Sequence, residues 1–257
     1  MKIIAHRGGA SLSPENTLTA FRRGISEGAD MIEIDIHLSS DGHIIVCHDQ
    51  TVDRTTDGNG RIRDFTLLEL RQFHVLDADG VPTQDRLPTL EEVFQLMREA
   101  RAAGRNVQLL VEIKRTRNIY QGLEERLLEQ IYQNDAASWV TVQSFNDFAL
   151  EHLHELDPTI RLEKLLFMKL PFLPYIIDGG LTRFSYDKYS YVRSFNFWHR
   201  GLTASFLRDL RRHQREVKLW TLEGTDTRVL PVDGIITNRP DLWVQARQEN
   251  PIVESAQ

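Results

Sequence analysis

The chain has 257 residues, of which 41% are hydrophobic and 26% are charged, and its formal net charge is −6. This composition is typical of a globular protein with a large core, and the length allows two small domains or one large α/β barrel. The negative charge argues against a nucleic-acid backbone as the main ligand, so we expect no nucleic-acid partner.

Apolar, strand-like runs alternate with amphipathic helical stretches along the whole chain. The runs are 2–6, 31–37, 44–48, 107–113, 139–144, 160–167, 189–195, 216–222 and 234–237. The helical stretches between most of them are 17–27, 90–103, 120–134, 147–156, 203–213 and 240–248. Because alternating strands and helices form parallel sheets, eight such units favour a closed (β/α)8 TIM-type barrel. No glycine-rich dinucleotide motif and no long linker interrupts the pattern, so we predict one barrel domain over residues 1–257.

Residues 50–86 interrupt this alternation. They contain the turn-forming sequence Asp53-Arg54-Thr55-Thr56-Asp57-Gly58-Asn59-Gly60 and are longer than a normal connection. The segment directly follows a run that ends in His48. We therefore predict a small insertion that caps the functional end of the barrel; a plain surface excursion is the alternative.

Several features bear on the compartment in which the chain works. The first strand follows Met1 almost at once, which leaves no room for a secretory signal, and Cys47 is the only cysteine. The most apolar stretch, 165–177, contains Lys169 and two prolines and is too short to span a bilayer. We therefore expect a cytoplasmic protein without a transmembrane segment.

Five polar residues lie within or directly after apolar runs, where a charge is costly unless it is paired or binds a cation. They are His6, Glu33, Asp35, His48 and Glu112. In a (β/α)8 barrel the carboxyl ends of the strands form the active site, so these side chains are expected to converge there. They are therefore candidate functional residues.

The three carboxylates, Glu33, Asp35 and Glu112, would repel one another if they met without a compensating charge. Glu33 and Asp35 are two residues apart on a strand and therefore share a face. A hard divalent cation, Mg²⁺ or Ca²⁺, accepts such oxygen ligands, whereas no cluster has the Cys/His spacing of zinc sites. The alternative is that Glu33 and Asp35 only form ion pairs with arginines.

Positive groups and histidines accompany the carboxylates. Arg7 follows His6, and Lys114 lies two residues beyond Glu112. Arginine can hold a phosphate through two parallel hydrogen bonds, and two histidines can move protons in both directions near neutral pH. A cation, a phosphate-binding pair and two histidines together predict cleavage of a phosphodiester.

Short motifs along the chain occur in the order typical of one enzyme family. They are His6-Arg7-Gly8-Gly9, Pro14-Glu15-Asn16-Thr17, Glu33-x-Asp35, Asp41-Gly42, His48-Asp49, Asp53-Arg54-Thr55-Thr56 and Glu112-Ile113-Lys114, with weaker matches at Gln143-Ser144-Phe145, Trp220-Thr221 and Asp233-Gly234-Ile235-Ile236-Thr237. In this ordered set the chain resembles the glycerophosphodiester phosphodiesterase family over nearly its whole length. No single motif is specific, whereas the ordered set is.

The resemblance implies a (β/α)8 barrel that hydrolyses glycerophosphodiesters to sn-glycerol 3-phosphate and an alcohol, using one divalent cation. It implies that His6 and His48 are the acid–base pair and that the three carboxylates named above bind the metal. Arg7 and Lys114 would hold the phosphate, and Trp220 would either wall the glycerol or only pack. Spacing alone assigns neither the acid and the base nor the first attacking oxygen, which belongs to water or to a glycerol hydroxyl.

Two departures from the family pattern affect what can be expected. The family often has Asp after Ile-Ile-Thr near the end, where this chain has Asn238, and we expect this change to affect a loop anchor more than the chemistry. The middle of the chain, from about 165 to 199, matches poorly. Since it should line the alcohol side of the site, the leaving group is not predicted.

The apolar stretch 165–177 follows a barrel strand and should lie partly at the active end. We expect it either to contact a partner subunit or an acyl-bearing substrate, or to pack beneath the next helix. A lysophospholipase D-type enzyme, which would use the same residues, is therefore the nearest alternative activity. A non-catalytic protein that binds phosphodiesters is the alternative from another class.

Overall fold

The computed structural model describes residues 1–114, 120–225 and 231–249. Its strands are β1 (Lys2–Ala5), β2 (Met31–Leu38), β3 (Ile44–Val46), β4 (Gln108–Ile113), β5 (Val140–Ser144), β6 (Leu162–Leu166), β7 (Met168–Lys169), β8 (Tyr175–Ile177), β9 (Leu181–Arg183), β10 (Val192–Trp198), β11 (Glu216–Leu222) and β12 (Gly234–Thr237).

Eight parallel strands close into a barrel in the order β1, β2, β4, β5, β6, β10, β11, β12. The first strand closes it, because Ile4 pairs with Met31 of β2 on one side and with Ile236 of β12 on the other. The predicted TIM-type barrel is thereby confirmed. The run 44–48 is not a barrel strand: β3 pairs antiparallel with β2 and lies beside the barrel.

The helices of the described chain are α1 (Leu18–Ser26), α2 (Leu67–Leu70), α3 (Leu90–Ala102), α4 (Leu123–Gln133), α5 (Asp147–Leu156), α6 (Ala204–Arg212) and α7 (Pro240–Glu249). Their starts are fixed locally. The Thr17 hydroxyl accepts a hydrogen bond from the Ala20 backbone at the start of α1, and Thr89 and Glu92 form a capping box at the start of α3. The six long helices therefore begin no more than three residues from the starts that the sequence pattern predicts.

The pleat of the barrel strands explains how acidic residues can lie inside buried runs. Along β2 the side chains of Ile32, Ile34 and Ile36 belong to the large core between the barrel and its helices. Glu33 and Asp35 alternate with them and face the barrel interior, since successive side chains on a strand point to opposite faces. The apolar run thus supplies the core, and the intervening residues supply the interior of the barrel.

One strand begins later than its sequence pattern suggests. The run 189–195 predicts a strand from Tyr189, whereas β10 spans Val192–Trp198. Tyr189 lies in the preceding turn, where its ring is buried and its hydroxyl donates to Asp147 at 3.0 Å. Its burial therefore serves the packing of this turn rather than the strand.

Two segments depart from the regular alternation. Residues 50–86 contain a short 3-10 turn (Ile62–Asp64) and α2, and they contribute Val52, Ile62 and Leu70 to a small apolar cluster shared with Ile45 of β3. After β6, the strands β7, β8 and β9 form a separate antiparallel sheet where a helix would otherwise follow. In the described residues no helix is long and apolar enough to cross a membrane.

Candidate active site

The turn after β1 brings His6 and Arg7 to the carboxyl end of the barrel. Arg7 has φ 51 and Gly8 has φ 85, so the backbone reverses sharply within one 3-10 turn. A Cβ atom on Gly8 would lie 2.7 Å from the backbone of Ala20 in α1, so only glycine fits. The turn also directs the Arg7 backbone N–H at Glu33 Oε2, which accepts at 2.9 Å.

The three predicted carboxylates lie together inside the barrel. Asp35 and Glu112 are direct neighbours on the paired strands β2 and β4, and Glu33 lies one pleat below Asp35. All three are buried, and one oxygen from each lies within 4.8 Å of the others. The register of two adjacent strands therefore builds the cluster that the sequence predicts.

The charges in this cluster are unevenly balanced. Lys114 Nζ lies 2.5 Å from Asp35 Oδ1 and 2.9 Å from Glu112 Oε1, and Arg7 Nε lies 3.4 Å from Asp35 Oδ2. Burial alone would raise the pKa of Asp35, but Lys114 and Arg7 outweigh it and lower that pKa. Burial and the neighbouring carboxylates of Asp35 and Glu112 raise the pKa of Glu33 well above its usual range.

These residues fit a divalent cation. The donor set consists of carboxylate oxygens, which hard cations prefer, and the raised pKa of Glu33 marks a buried negative charge that the protein leaves partly uncompensated. Asp35 does pair with Arg7, as the alternative interpretation expects. The ion-pair interpretation does not account for Glu33, which among the described residues accepts hydrogen bonds from the Arg7 backbone N–H and the Gln143 amide rather than from a charged side chain.

The ring of His6 is held through its Nδ1 atom by Asn238 Oδ1 at 2.6 Å. The amide of Asn238 is itself oriented, because its Nδ2 donates to Glu223 Oε1 at 2.5 Å and a carboxylate can only accept. The oxygen of Asn238 therefore faces His6, Nδ1 carries the proton, and the lone pair lies on Nε2. Asn238 is thus more than the loop anchor expected from the sequence.

The ring of His48 has a charged partner instead. Its Nδ1 lies 2.5 Å from Asp49 Oδ1, and Arg54 Nε donates to the other oxygen of Asp49 at 2.6 Å. Arg54 also contacts Glu15, which in turn pairs with Arg7 at 3.0 Å. An unbroken series of ion pairs therefore joins the two predicted catalytic segments, and Arg54 brings the 50–86 segment into it.

Burial lowers the pKa of both imidazoles. It lowers that of His6 to about 4, with the Arg7 guanidinium adding to the effect. Burial and the Lys114 ammonium lower the pKa of His48, while Asp35 and Asp49 oppose them. The two histidines thus differ in their partners: a neutral amide for His6 and a carboxylate for His48.

His37 shares the interior face of β2 but takes a supporting position. Its Nε2 lies 3.1 Å from the His48 carbonyl oxygen, and its Nδ1 lies 3.0 Å from the Tyr120 hydroxyl. Burial lowers its pKa to about 4, so the ring is neutral at neutral pH. His37 therefore fixes the backbone at His48.

Cys47, one residue before His48, is buried, and burial raises the pKa of its thiol to about 12, as expected for a core residue.

A cavity of about 110 Å³ lies among these groups. Its polar lining includes His6, Arg7, His48 and the carboxylates of Glu33 and Glu112. Trp220 and Phe145 belong to its apolar lining, and Trp220 contacts Phe145 and Phe167 at ring-centroid distances of 5.6 and 5.3 Å. The sequence-predicted residues His6, Arg7, Glu33, His48, Glu112, Lys114 and Trp220 all line this cavity, and Asp35 lies directly beneath them.

Sequence reasoning missed several supporting side chains. Asn16 donates to Asp35 Oδ2 at 2.8 Å from within the Pro14-Glu15-Asn16-Thr17 motif, and Gln143 reaches Glu33 Oε1 at 3.4 Å. Deeper in the barrel, Asn196 donates to both Gln143 and Glu163. Each is a polar residue in or beside a buried element, which is the same signal that identified the carboxylates.

The model of the Glycerophosphoryl diester phosphodiesterase family matches residues 6–242 of this chain. A glycerophosphodiester phosphodiesterase of Caldanaerobacter subterraneus subsp. tengcongensis is 39% identical over 247 residues, which cover 94% of this chain and 96% of the relative. One from Bacillus altitudinis is 32% identical, and the match covers 96% of this chain and 98% of that protein.

Solved structures show the same fold at lower identity. An Oleispira antarctica phosphodiesterase, solved in complex with the product sn-glycerol-3-phosphate, has a TM-score of 0.75 at 22% identity, and the match covers 97% of each chain. A glycerophosphodiester phosphodiesterase from Thermotoga maritima has a TM-score of 0.71 at 23% identity, covering 96% of this chain and 98% of that one. The fold is therefore shared over nearly the full length of each chain.

Proposed function

The chain belongs to the glycerophosphoryl diester phosphodiesterase family, and we propose that it hydrolyses glycerophosphodiesters to sn-glycerol 3-phosphate and an alcohol by cation-dependent His/His catalysis. The observation that carries this proposal is the meeting of two histidines, two cationic side chains and three carboxylates around one cavity at the carboxyl end of the barrel. The product complex of the Oleispira phosphodiesterase supports the same class of product.

Glu33, Asp35 and Glu112 would hold one divalent cation, Mg²⁺ or Ca²⁺. When bound, such a cation supplies charge stabilisation at the phosphoryl oxygens and lowers the repulsion among the three carboxylates. The oxygen-only donor set and the raised pKa of Glu33 support this assignment.

His6 is assigned as the general base. Its Nδ1 is occupied by Asn238, so the free lone pair lies on Nε2, and burial with the nearby Arg7 keeps the ring neutral at neutral pH. A neutral imidazole with an available lone pair accepts a proton from the attacking hydroxyl, which belongs either to water or to the glycerol moiety. The oxygen then forms a bond to phosphorus.

His48 is assigned as the general acid. Asp49 lies 2.5 Å from Nδ1 and opposes the burial and the Lys114 charge that lower the pKa of this ring, so of the two imidazoles His48 has the partner that favours a protonated form, with its second proton on Nε2. That proton passes to the leaving alkoxide as the bond between phosphorus and the alcohol oxygen breaks. The series of ion pairs through Arg54 and Glu15 orients Asp49 and supports a cap role for the 50–86 segment.

Arg7 and Lys114 are assigned to the phosphate. Both line the cavity, and both carry a positive charge beside the carboxylate cluster, where a charged phosphodiester must come to rest. Trp220 is assigned to the apolar wall, with its indole N–H donating to the Asn196 carbonyl at 3.0 Å so that the ring is held in place. The cytoplasmic location expected from the sequence stays a prediction.

The proposal is tested by incubating the protein with glycerophosphocholine and glycerophosphoethanolamine, with EDTA and with added Mg²⁺ or Ca²⁺. We expect cation-dependent release of glycerol 3-phosphate, lost in a His6→Ala variant and retained in His213→Ala, which removes an exposed histidine at the end of α6. Binding of the diester with no product under any of the cations would contradict the proposal and favour a non-catalytic binding protein.

A further inference from the structure

The small sheet after β6 presents an apolar surface at the catalytic end of the barrel. We define this apolar hairpin as residues 168–183, which comprise β7, β8, β9 and the tip between the first two strands. Met168, Ile177 and Leu181 are directly paired across the three strands and therefore share one face. On the opposite face, Ile176 is fully buried. The row of Met168, Ile177 and Leu181 therefore faces outward, and Leu181 is 65% exposed.

The tip of the apolar hairpin continues this surface. Its residues are Pro171, Phe172, Leu173 and Pro174; Phe172 is fully exposed and Leu173 is 51% exposed. Phe172 has φ 61, a left-handed conformation that costs energy for an aromatic residue and is normally left to glycine. A large apolar side chain is thus exposed to solvent at a position where glycine would strain the backbone less.

The apolar hairpin is firmly attached to the barrel. The fully buried Lys164 of β6 pairs with Asp178 at the end of β8 at 2.9 Å and with Asp147 at 2.8 Å. At the tip, Lys169 Nζ donates to the carbonyl oxygens of Leu170 and Leu173 at 3.3 and 2.9 Å. The exposed side chains therefore belong to a segment that ion pairs and hydrogen bonds hold against the barrel.

The hairpin directly follows a residue that packs on the wall of the active site. β6 leads into Phe167, which precedes the hairpin and stacks on Phe145 at a ring-centroid distance of 5.2 Å. Phe145 and Trp220 line the cavity that contains His6 and His48. Phe167, which is 37% exposed, therefore lies between the cavity wall and the first strand of the hairpin.

The charge beside the apolar row favours a lipid surface as the occupant of this face. Arg183 is exposed and lies on the same face as the row, since it pairs with Tyr175, which lies two residues before Ile177 on β8. Apolar side chains beside an exposed cation match the acyl layer and the phosphate groups of a phospholipid surface. A projecting tip is also suited to a soft layer, whereas a second protein copy requires a broad complementary face.

We propose that the apolar hairpin docks the protein on a phospholipid surface and gives the active site access to phosphodiesters that carry an acyl chain, such as lysophospholipids. The acyl chain would leave the cavity past Phe167, with the diester at the histidines. The substrate part of this inference rests on the proposed phosphodiesterase function, whereas the docking part does not.

The first test is sedimentation of the full chain with phosphatidylcholine vesicles that contain a minor share of phosphatidylglycerol. We compare the wild type with a Phe172→Ser/Leu173→Ser variant and with Leu68→Ser, which removes a leucine that is 75% exposed on α2. Because each large apolar side chain buried in lipid is worth about tenfold or more in partitioning, the double variant should bind at least tenfold more weakly. Leu68→Ser should bind like the wild type.

Hydrolysis separates this inference from the proposed function. We expect the double variant to hydrolyse water-soluble glycerophosphocholine at the wild-type rate and to lose activity towards lysophosphatidylcholine presented in those vesicles. Wild-type activity on glycerophosphocholine together with no vesicle binding would overturn the docking inference alone. A wild-type dimer that the double variant converts to monomers, again without vesicle binding, would overturn it in favour of self-association.

Discussion

At the scale of single residues, the site is asymmetric because its two histidines have different partners. Asn238 offers His6 a neutral amide oxygen, and Asp49 offers His48 a carboxylate. A carboxylate stabilises an imidazolium and an amide oxygen does so far less, so the partner of His48 favours protonation of its ring more than the partner of His6 does. The histidines themselves are predictable from the sequence, but this asymmetry is not, because Asn238 and Glu223 approach His6 only through the closure of the barrel.

The Asn238–Glu223 pair provides a test of this asymmetry. Exchanging the two groups in an Asn238→Asp/Glu223→Gln variant keeps a donor and an acceptor in place but puts a carboxylate next to His6. The pKa of His6, now lowered to about 4, should rise, and the general base should become protonated at higher pH. We expect the acid limb of the kcat/KM profile for glycerophosphocholine to move to higher pH. Glu223→Gln alone is the control, and an unmoved acid limb in the exchanged variant would contradict the assignment of His6.

Glu33 provides a second test, because it carries a buried charge that the protein itself leaves partly uncompensated. Its raised pKa means that the ionised form is disfavoured at neutral pH in the absence of a cation. In EDTA, we expect the melting temperature of Glu33→Gln to equal or exceed that of the wild type. When Mg²⁺ or Ca²⁺ is added, the melting temperature of the variant should rise by less than that of the wild type. Thermal melting by circular dichroism measures both effects.

The matched control lies deeper in the same barrel. Glu163 pairs with Lys218, and both are buried, so Glu163→Gln leaves an ammonium without its partner and should lower the melting temperature. If Glu33→Gln in EDTA were destabilised as much as Glu163→Gln, Glu33 would be a structural ion-pair partner rather than a cation ligand.

At the scale of elements, the strands of the barrel follow from the sequence because their apolar runs are long and their neighbours are local. The cluster of Glu33, Asp35 and Glu112 follows from the register of β2 and β4 once the barrel is assumed. The start of β10 and the antiparallel sheet after β6 do not follow. They depend on the contacts of Tyr189 and Lys164 with Asp147. Because these contacts join different elements, no local sequence pattern predicts them.

Lys164 tests how far such a contact stabilises an element. It is fully buried between Asp147 and Asp178, so Lys164→Met removes one charge and leaves two carboxylates in a poorly solvated position. We expect the free energy of unfolding to fall by about 3–5 kcal/mol, the range for breaking a buried ion pair. Lys188→Met, which removes the more exposed partner of the same Asp147, should cost under about 1 kcal/mol. Urea unfolding measures both, and equal losses would contradict the role of Lys164.

His37 links β2 to the backbone at His48 and makes stability depend on pH. Its pKa is lowered by burial to about 4 in the folded protein, against 6.5 for the free side chain. Between these values the unfolded chain binds a proton that the native ring does not, so stability is present above pH 6.5 and falls as the pH drops towards 4. We expect a His37→Gln variant to have a shallower decline than the wild type in EDTA. His213→Gln is the exposed control, and an unchanged slope for His37→Gln would contradict a neutral buried ring.

At the scale of the whole molecule, a chain with a net charge of −6 is proposed to act on an anionic diester. We propose that the barrel resolves this conflict by gathering Arg7, Lys114 and the three carboxylates that would hold a cation at one end, so that the local charge with a cation bound differs from the total. The apolar hairpin lies at the same end, which orients the cavity towards any lipid surface that the hairpin contacts.

The most direct test of the account compares two glycerophosphodiesters in the His6→Ala and His48→Ala variants. One substrate has choline as its leaving group and needs protonation; the other has p-nitrophenol, which leaves without it. If His48 is the acid and His6 the base, His48→Ala should lose choline release but regain much of its activity on the p-nitrophenyl diester, whereas His6→Ala should be slow on both. Recovery in His6→Ala instead would reverse the two roles, and full activity of either variant on the choline diester would contradict catalysis by this pair.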